Sequence, residues 1–179
     1  EGYMTHLITD SSINFIERNK DNPFFLFVSH ECPHFPFQGP KDVKKEVNKT
    51  NWMKPDADTY VAMLEDLDSE VGRLLAVLDK HKLTKKTLVV FVSDNGGFAD
   101  AANMGPFSGA KSTTLEGGIR VPLIMRWPGQ IRAGTTSHQV CATFDLTRSI
   151  LSLANAKAPT NRLDGFDIVN HITARNPDF

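Results

Sequence analysis

The stretch that most constrains this chain is Val89-Val90-Phe91-Val92-Ser93-Asp94-Asn95-Gly96-Gly97, where an apolar run stops at an acid, an amide and two glycines. An unbroken run of β-branched and aromatic residues suits a strand covered on both faces. In open α/β sheets, ligands gather at the carboxyl ends of such strands. Asp94 and Asn95 therefore fall at the mouth of a candidate site. Hard cations such as calcium and magnesium take carboxylate and amide oxygens, and adjacent glycines let the backbone come close. Asp-Asn-Gly is also ordinary turn chemistry, and taken alone the stretch favours that plainer reading.

Length and charge narrow the classes. With 179 residues the chain is long enough for a core, and 1–179 is expected to be a single domain. A formal charge of −1 gives no long-range field to hold nucleic acid or an anionic membrane. No apolar run approaches the roughly 20 residues of a spanning helix. The chain opens on Glu1-Gly2-Tyr3, without an initiator Met or a signal-peptide pattern, so a processed product or an excised segment is expected. Cys32 and Cys141 lie far apart in sequence and are free to pair or not. Asn48-Lys49-Thr50 fits the N-glycosylation pattern.

Apolar residues between Thr5 and Arg18 recur at three- and four-residue spacings, which predicts a helix. Phe24-Phe25-Leu26-Phe27-Val28 reads as a second buried strand, ending at His30-Glu31-Cys32-Pro33-His34-Phe35-Pro36, a loop held by two prolines. The Lys41, Lys44 and Lys45 cluster reads as a solvated face. From Asp58 to Lys80 one apolar stripe marks a long helix, whose carboxylates, Asp66 and Glu70 among them, read as its exposed side. Strand, helix and strand then imply a parallel, right-handed crossover. Phe98 to Ser112 is a long loop carrying Lys111. Its Gly-x-Lys-Ser-Thr fragment lacks the first glycine of a nucleotide-binding P-loop, and that function is rejected. Leu115 to Pro122 reads as a glycine-hinged turn into a strand at Leu123-Ile124-Met125, closed by Trp127-Pro128-Gly129. Asp145 to Ala154 reads as a helix capped by Thr143 or Asp145, and 161–179 as polar and loop-rich.

Pro33-His34-Phe35-Pro36, Ser93-Asp94-Asn95-Gly96, Lys111 through Pro122, Trp127-Pro128-Gly129, Phe144-Asp145-Leu146 and Leu163 through Ile168 resemble, in order, the successive blocks of the sulfatase family. The resemblance runs over nearly the whole chain. It implies an α/β, alkaline-phosphatase-like fold with a mostly parallel sheet flanked by helices. That fold is expected to be incomplete, with 1–179 as the C-terminal portion of a catalytic domain.

By resemblance, Asp94 and Asn95 are metal ligands, for calcium or alternatively magnesium, while His34 and Lys111 are the catalytic and substrate-binding residues. Cleaving a sulfate ester builds negative charge on the leaving alcohol oxygen, which an ammonium or a protonated imidazole offsets. His30, His81, His138, His171 and His6 read as surface residues. The family nucleophile is a formylglycine made from a Cys/Ser-x-Pro/Ala-x-Arg motif, absent here, as is the early aspartate pair that completes the metal site. The parent protein is accordingly expected to hydrolyse aryl or carbohydrate sulfates, and the isolated chain to be inactive. A phosphate or phosphonate ester hydrolase of the same superfamily is the alternative, and a non-catalytic, partner-binding relic is a third reading. Family members are mostly exported or lysosomal. A cut sheet exposes an edge strand, so self-association is expected.

Overall fold

The computed structural model describes residues 2–47, 50, 52–54, 56–156 and 163–173. The glycosylation pattern at Asn48 and Lys49 lies outside them. The chain divides into two compact units, Glu1–Ile124 and Met125–Phe179.

In the first unit, α1 (Met4–Asn19) and α2 (Ala57–Lys80) form where the apolar periodicity places them, and they pack on one another. Their shared face is not the greasy seam such helices usually make. The buried residues of α1 are Thr5, Thr9, Ser12 and Ile16, and α2 buries Glu70 beside Met63, Leu67 and Leu78. Asp66 and Glu70 therefore do not lie on an exposed side. His6 Nε2 meets Asp66 Oδ1 at 2.8 Å, and Arg73 bridges Glu70 and Asp10 at 2.6 Å each. A helix face that buries three hydroxyl residues beside one isoleucine leaves room for charged partners, and a carboxylate that keeps a charged, hydrogen-bonded partner is tolerated there.

The expected strand at Phe24–Val28 is not a strand: the segment has no assigned structure. A ladder needs a neighbour to receive its backbone groups, and the segment joins no sheet among the described residues. The alternation survives. Phe24, Leu26 and Val28 are half-buried, with Phe24 edge-on to Phe15 of α1 at 5.9 Å. Phe25 and Phe27 are 65% and 79% exposed. The strand–helix–strand crossover consequently has no first strand to close on.

β1 (Val89–Val92) forms where the opening stretch places it, but it is not covered on both faces: Val89, Val90 and Val92 are half-buried and Phe91 is 41% exposed. Its described partner is β2 (Leu123–Arg126), in a two-stranded sheet. Between them lie the long loop and a short helix, α3 (Glu116–Ile119), where a glycine-hinged turn was expected.

In the second unit, α4 (Thr143–Leu153) is capped at Ala142, with Asp145 inside the first turn, not at the cap. The buried Asp145 carboxylate accepts from Ala142 N–H at 2.7 Å and Phe166 N–H at 2.9 Å. Ser149 accepts from Ile168 N–H at 3.0 Å. These bonds fasten the Leu163–Ile168 block along α4, ahead of the short α5 (Val169–Ile172). Both cysteines are free thiols.

Candidate active site

The turn after β1 is packed backbone to backbone. Gly96 N–H donates to Gly118 O at 2.9 Å, and Gly117 N–H donates to Ser108 O at 2.8 Å. A Cβ on Gly96 would sit 1.9 Å from Gly117 O, and one on Gly118 would sit 2.2 Å from Thr113 O. No side chain fits at either contact. Sequence reading gave the pair Gly117-Gly118 a hinge role; the signal for its real one is that a second Gly-Gly pair, Gly96-Gly97, follows β1, and the two meet.

This packing positions Lys111. Its N–H donates to Gly97 O at 2.9 Å, while Thr113 N–H donates back to Ala110 O at 3.1 Å. Ser112 has a φ of 72°, the left-handed value that a type II turn needs at its third residue. For a serine that conformation is uncommon and is held by its surroundings. The loop that carries the candidate ammonium is thus tied by main chain to the turn that carries Asp94 and Asn95.

The third contributor arrives by aromatic contact. The Lys111 Nζ stands 6.0 Å from the Phe35 ring centroid, and the His34 ring lies 4.1 Å from the same ring. Phe35 itself is packed by Phe37, Phe98 and Trp52 at 6.4, 6.2 and 5.0 Å. An ammonium held over an aromatic face gains attraction from the ring quadrupole without losing its charge to a counter-ion. The exposed His34 bonds through Nδ1 to the Phe35 carbonyl at 2.8 Å. A carbonyl only accepts, so Nδ1 carries the hydrogen and Nε2 is left to face a substrate. Phe35 was not among the expected site residues, although its place directly after His34 was the available signal.

All four expected residues therefore lie in the first unit, His34 and Lys111 against one ring, and Asp94 and Asn95 three and two residues before the Gly97 carbonyl that holds Lys111. Asn95 Nδ2 donates to Asp94 Oδ2 at 2.5 Å, so the two side chains already converge. As oxygen donors on a glycine-rich turn they fit a hard divalent cation, but only as two of the 6 to 8 ligands that calcium takes. Among the described residues no group of three or more His, Cys, Asp or Glu gathers to hold a metal.

The spare histidines do not all behave as surface residues. His6 pairs with Asp66, and the half-buried His81 Nε2 meets Glu17 at 2.7 Å. Both ring nitrogens of His30 are buried without a hydrogen-bond partner. Burial holds its imidazole below the usual histidine value, against the opposing pull of Glu70 and Asp66. Cys32 donates to Met63 O at 3.1 Å, and burial, with Asp66 adding, pushes its thiol up to about 12. That thiol is not primed as a nucleophile.

Comparison with known proteins places the chain in a family. The Sulfatase family profile matches residues 1–156. This chain belongs to the sulfatase family. It is 34% identical over 177 residues to N-acetylgalactosamine-6-sulfatase of Mus musculus, covering 94% of this chain and 32% of that one. It is 35% identical over 156 residues to arylsulfatase A of Homo sapiens, covering 84% of this chain and 29% of that one. Among solved structures it is similar to Ps i-CgsB in complex with k-i-k-neocarrahexaose, with a TM-score of 0.81 and 34% identity over 94% of this chain and 38% of that one. Those neighbours carry the alkaline-phosphatase-like fold, so the expected α/β class holds, with the small sheet and flanking helices as part of it. The chain spans about a third of the length of the curated relatives it matches. None of its described helices is long and apolar enough to cross a membrane.

Proposed function

We propose that this sulfatase chain supplies the sulfate-facing side of an active site that hydrolyses carbohydrate or aryl sulfate esters. The observation that carries it is the meeting of Lys111 and His34 on Phe35, beside the turn of Asp94 and Asn95. Lys111 holds a sulfate oxygen and the developing charge of the leaving alcohol. His34, with Nδ1 committed to a carbonyl, offers Nε2 to the bridging oxygen, and in its protonated form donates the proton that the departing alkoxide needs.

Asp94 and Asn95 hold calcium, or magnesium in its place, as part of a larger ligand set. Such a cation supplies charge neutralisation to the sulfate oxygens. The nucleophile, a formylglycine in the family, is assigned outside these 179 residues. The buried, raised Cys32 supports that assignment. The single-domain reading of 1–179 is supported by a family match over residues 1–156, which spans the first compact unit and continues into the second. An exported or lysosomal setting goes with the family.

Titration with inorganic sulfate tests the site directly. Lys111→Ala is expected to weaken sulfate binding about tenfold or more, the usual effect of losing one charged donor, and His34→Ala by less. Sulfate affinity unchanged in both variants would overturn the assignment. The isolated chain is expected not to turn over 4-nitrophenyl sulfate, and turnover at a normal enzyme rate would place the nucleophile within it. The exposed Phe25 and Phe27 support the expected self-association, and sedimentation velocity over a concentration series checks it.

A further inference from the structure

Phe35, Phe37, Tyr60 and Phe98 are half-buried and touch one another, whereas Trp52, the remaining ring of that cluster, is 41% exposed. It meets Phe35 edge to face at 5.0 Å and 81°. Phe35 is the ring on which His34 and Lys111 rest. One aromatic ring therefore separates an open indole from both groups assigned to the sulfate. An exposed tryptophan on a loop is ordinary surface when nothing polar and functional adjoins it. Here it lies against the same phenyl ring that His34 and Lys111 approach.

We infer that Trp52 is the leaving-group subsite of this active site, a platform for the pyranose ring that carries the sulfate. The inference rests on the sulfate reading of His34 and Lys111 and names the class of alcohol. The ring C–H groups of a pyranose form an apolar face about as large as an indole, and its hydroxyls stay outward in water. Trp suits this because it offers a wide rigid face at low entropic cost, with one N–H donor at its edge. A fused-ring alcohol such as a sterol would need a continuous apolar wall, and Trp52 is a single exposed ring beside cationic and polar groups. Beneath it, Phe35 is itself packed by Phe37 and Phe98.

Fluorescence titration tests this. In a Trp127→Phe background Trp52 is the remaining indole, since the chain has two tryptophans. The probes are galactose 6-sulfate, galactose 4-sulfate, 4-nitrophenyl sulfate and inorganic sulfate. At least one sugar sulfate is expected to change the Trp52 emission and inorganic sulfate to leave it unchanged. In parallel calorimetry Trp52→Ala is expected to weaken that sugar sulfate about tenfold, Trp52→Phe about threefold, and inorganic sulfate less than twofold.

No emission change with either sugar sulfate, or equal sugar affinity in wild type and Trp52→Ala, overturns the subsite. Dependence on Trp52 for 4-nitrophenyl sulfate alone overturns the carbohydrate assignment. Should Trp52→Ala disturb the fold, the emission change in the unaltered indole still decides. Failure of wild type to bind inorganic sulfate would instead overturn the roles of His34 and Lys111, and it is scored apart from the Trp52 signal.

Discussion

The turn beneath Lys111 and the seam between α1 and α2 hold the first unit together by opposite means. The turn is main chain against main chain: Gly96 on Gly118, Lys111 on Gly97, Gly117 on Ser108. The seam is side chain against side chain, with Asp10, Arg73 and Glu70 linked through His6 to Asp66 in one network of charges. Backbone contacts carry no titratable group, so the turn is indifferent to pH and salt but has no room for a methyl group. Charged contacts reverse this balance. They tolerate changes of shape and respond to protonation. A site that must present a fixed cation to an oxyanion is better founded on the first kind.

Two substitutions set the regions against each other. Gly96→Ala is expected to be the most damaging, because the new Cβ falls 1.9 Å from a backbone oxygen and backbone must move. Overpacking of this kind costs about 3 kcal/mol or more. In hydrogen exchange the Lys111 and Gly117 amides should lose protection first, while those of α1 and α2 persist. Equal loss in both regions would erase the distinction. Glu70→Ala comes second. Its carboxylate side chain is 7% exposed, but Arg73 is 45% exposed and keeps Asp10 as a partner. The guanidinium can return to water, so a cost of roughly 2 kcal/mol is expected, below that of a fully buried pair. A denaturant midpoint for Glu70→Ala, with Arg73→Ala and the double variant to close the cycle, reads the coupling.

How far these regions can be read from sequence differs for the same reason. The turn announces itself as a turn: an apolar run that stops at Asp94-Asn95-Gly96-Gly97 must break there, and the glycines of Gly117-Gly118 are visible in advance. What stayed hidden is that the two pairs touch and that Phe35 gathers His34 and Lys111, because contacts between remote loops leave no local period. The helices were legible as helices and their seam was not. Periodicity assigns charged residues to solvent, and Glu70 is buried because α1 presents Thr5, Thr9 and Ser12 instead of a fully apolar stripe. Phe24–Val28 shows the converse limit. Its composition and alternation are those of a strand, but strand status depends on a neighbour's backbone, which a segment's own residues do not specify.

A second glycine sharpens the contrast with the opposite sign. Gly72 lies inside α2, exposed, and a Cβ there would meet nothing within 4 Å. Gly72→Ala is expected to stabilise the chain by about 0.5–1 kcal/mol, since alanine loses less backbone entropy in a helix. Thermal melts of the two glycine variants should move in opposite directions, down for Gly96→Ala and slightly up for Gly72→Ala.

The smallest expected effect separates the regions by pH. Glu17 of α1 accepts from Lys80 at 2.7 Å and faces His81 at 2.7 Å. Lys80 first, and His81 after it, hold its carboxyl at about 2, against an ordinary value of 4.5. A carboxyl whose folded pKa is depressed binds protons more readily unfolded, so its contribution is whole above about 4.5 and drains away as the pH falls toward 2. His30 adds a loss in the same direction but begins higher. Its burial disfavours the charged form, so the folded state loses ground to the unfolded one as pH drops below 6.5. Amide exchange followed from pH 7 to pH 3 should therefore show the α1–α2 seam opening in acid before the Lys111 turn. Glu17→Gln should flatten the lower part of that acid response, and its effect should shrink at high salt, because both partners of the pair reach solvent. A Lys111 turn that opened together with the seam would mean that the glycine contacts depend on the two helices.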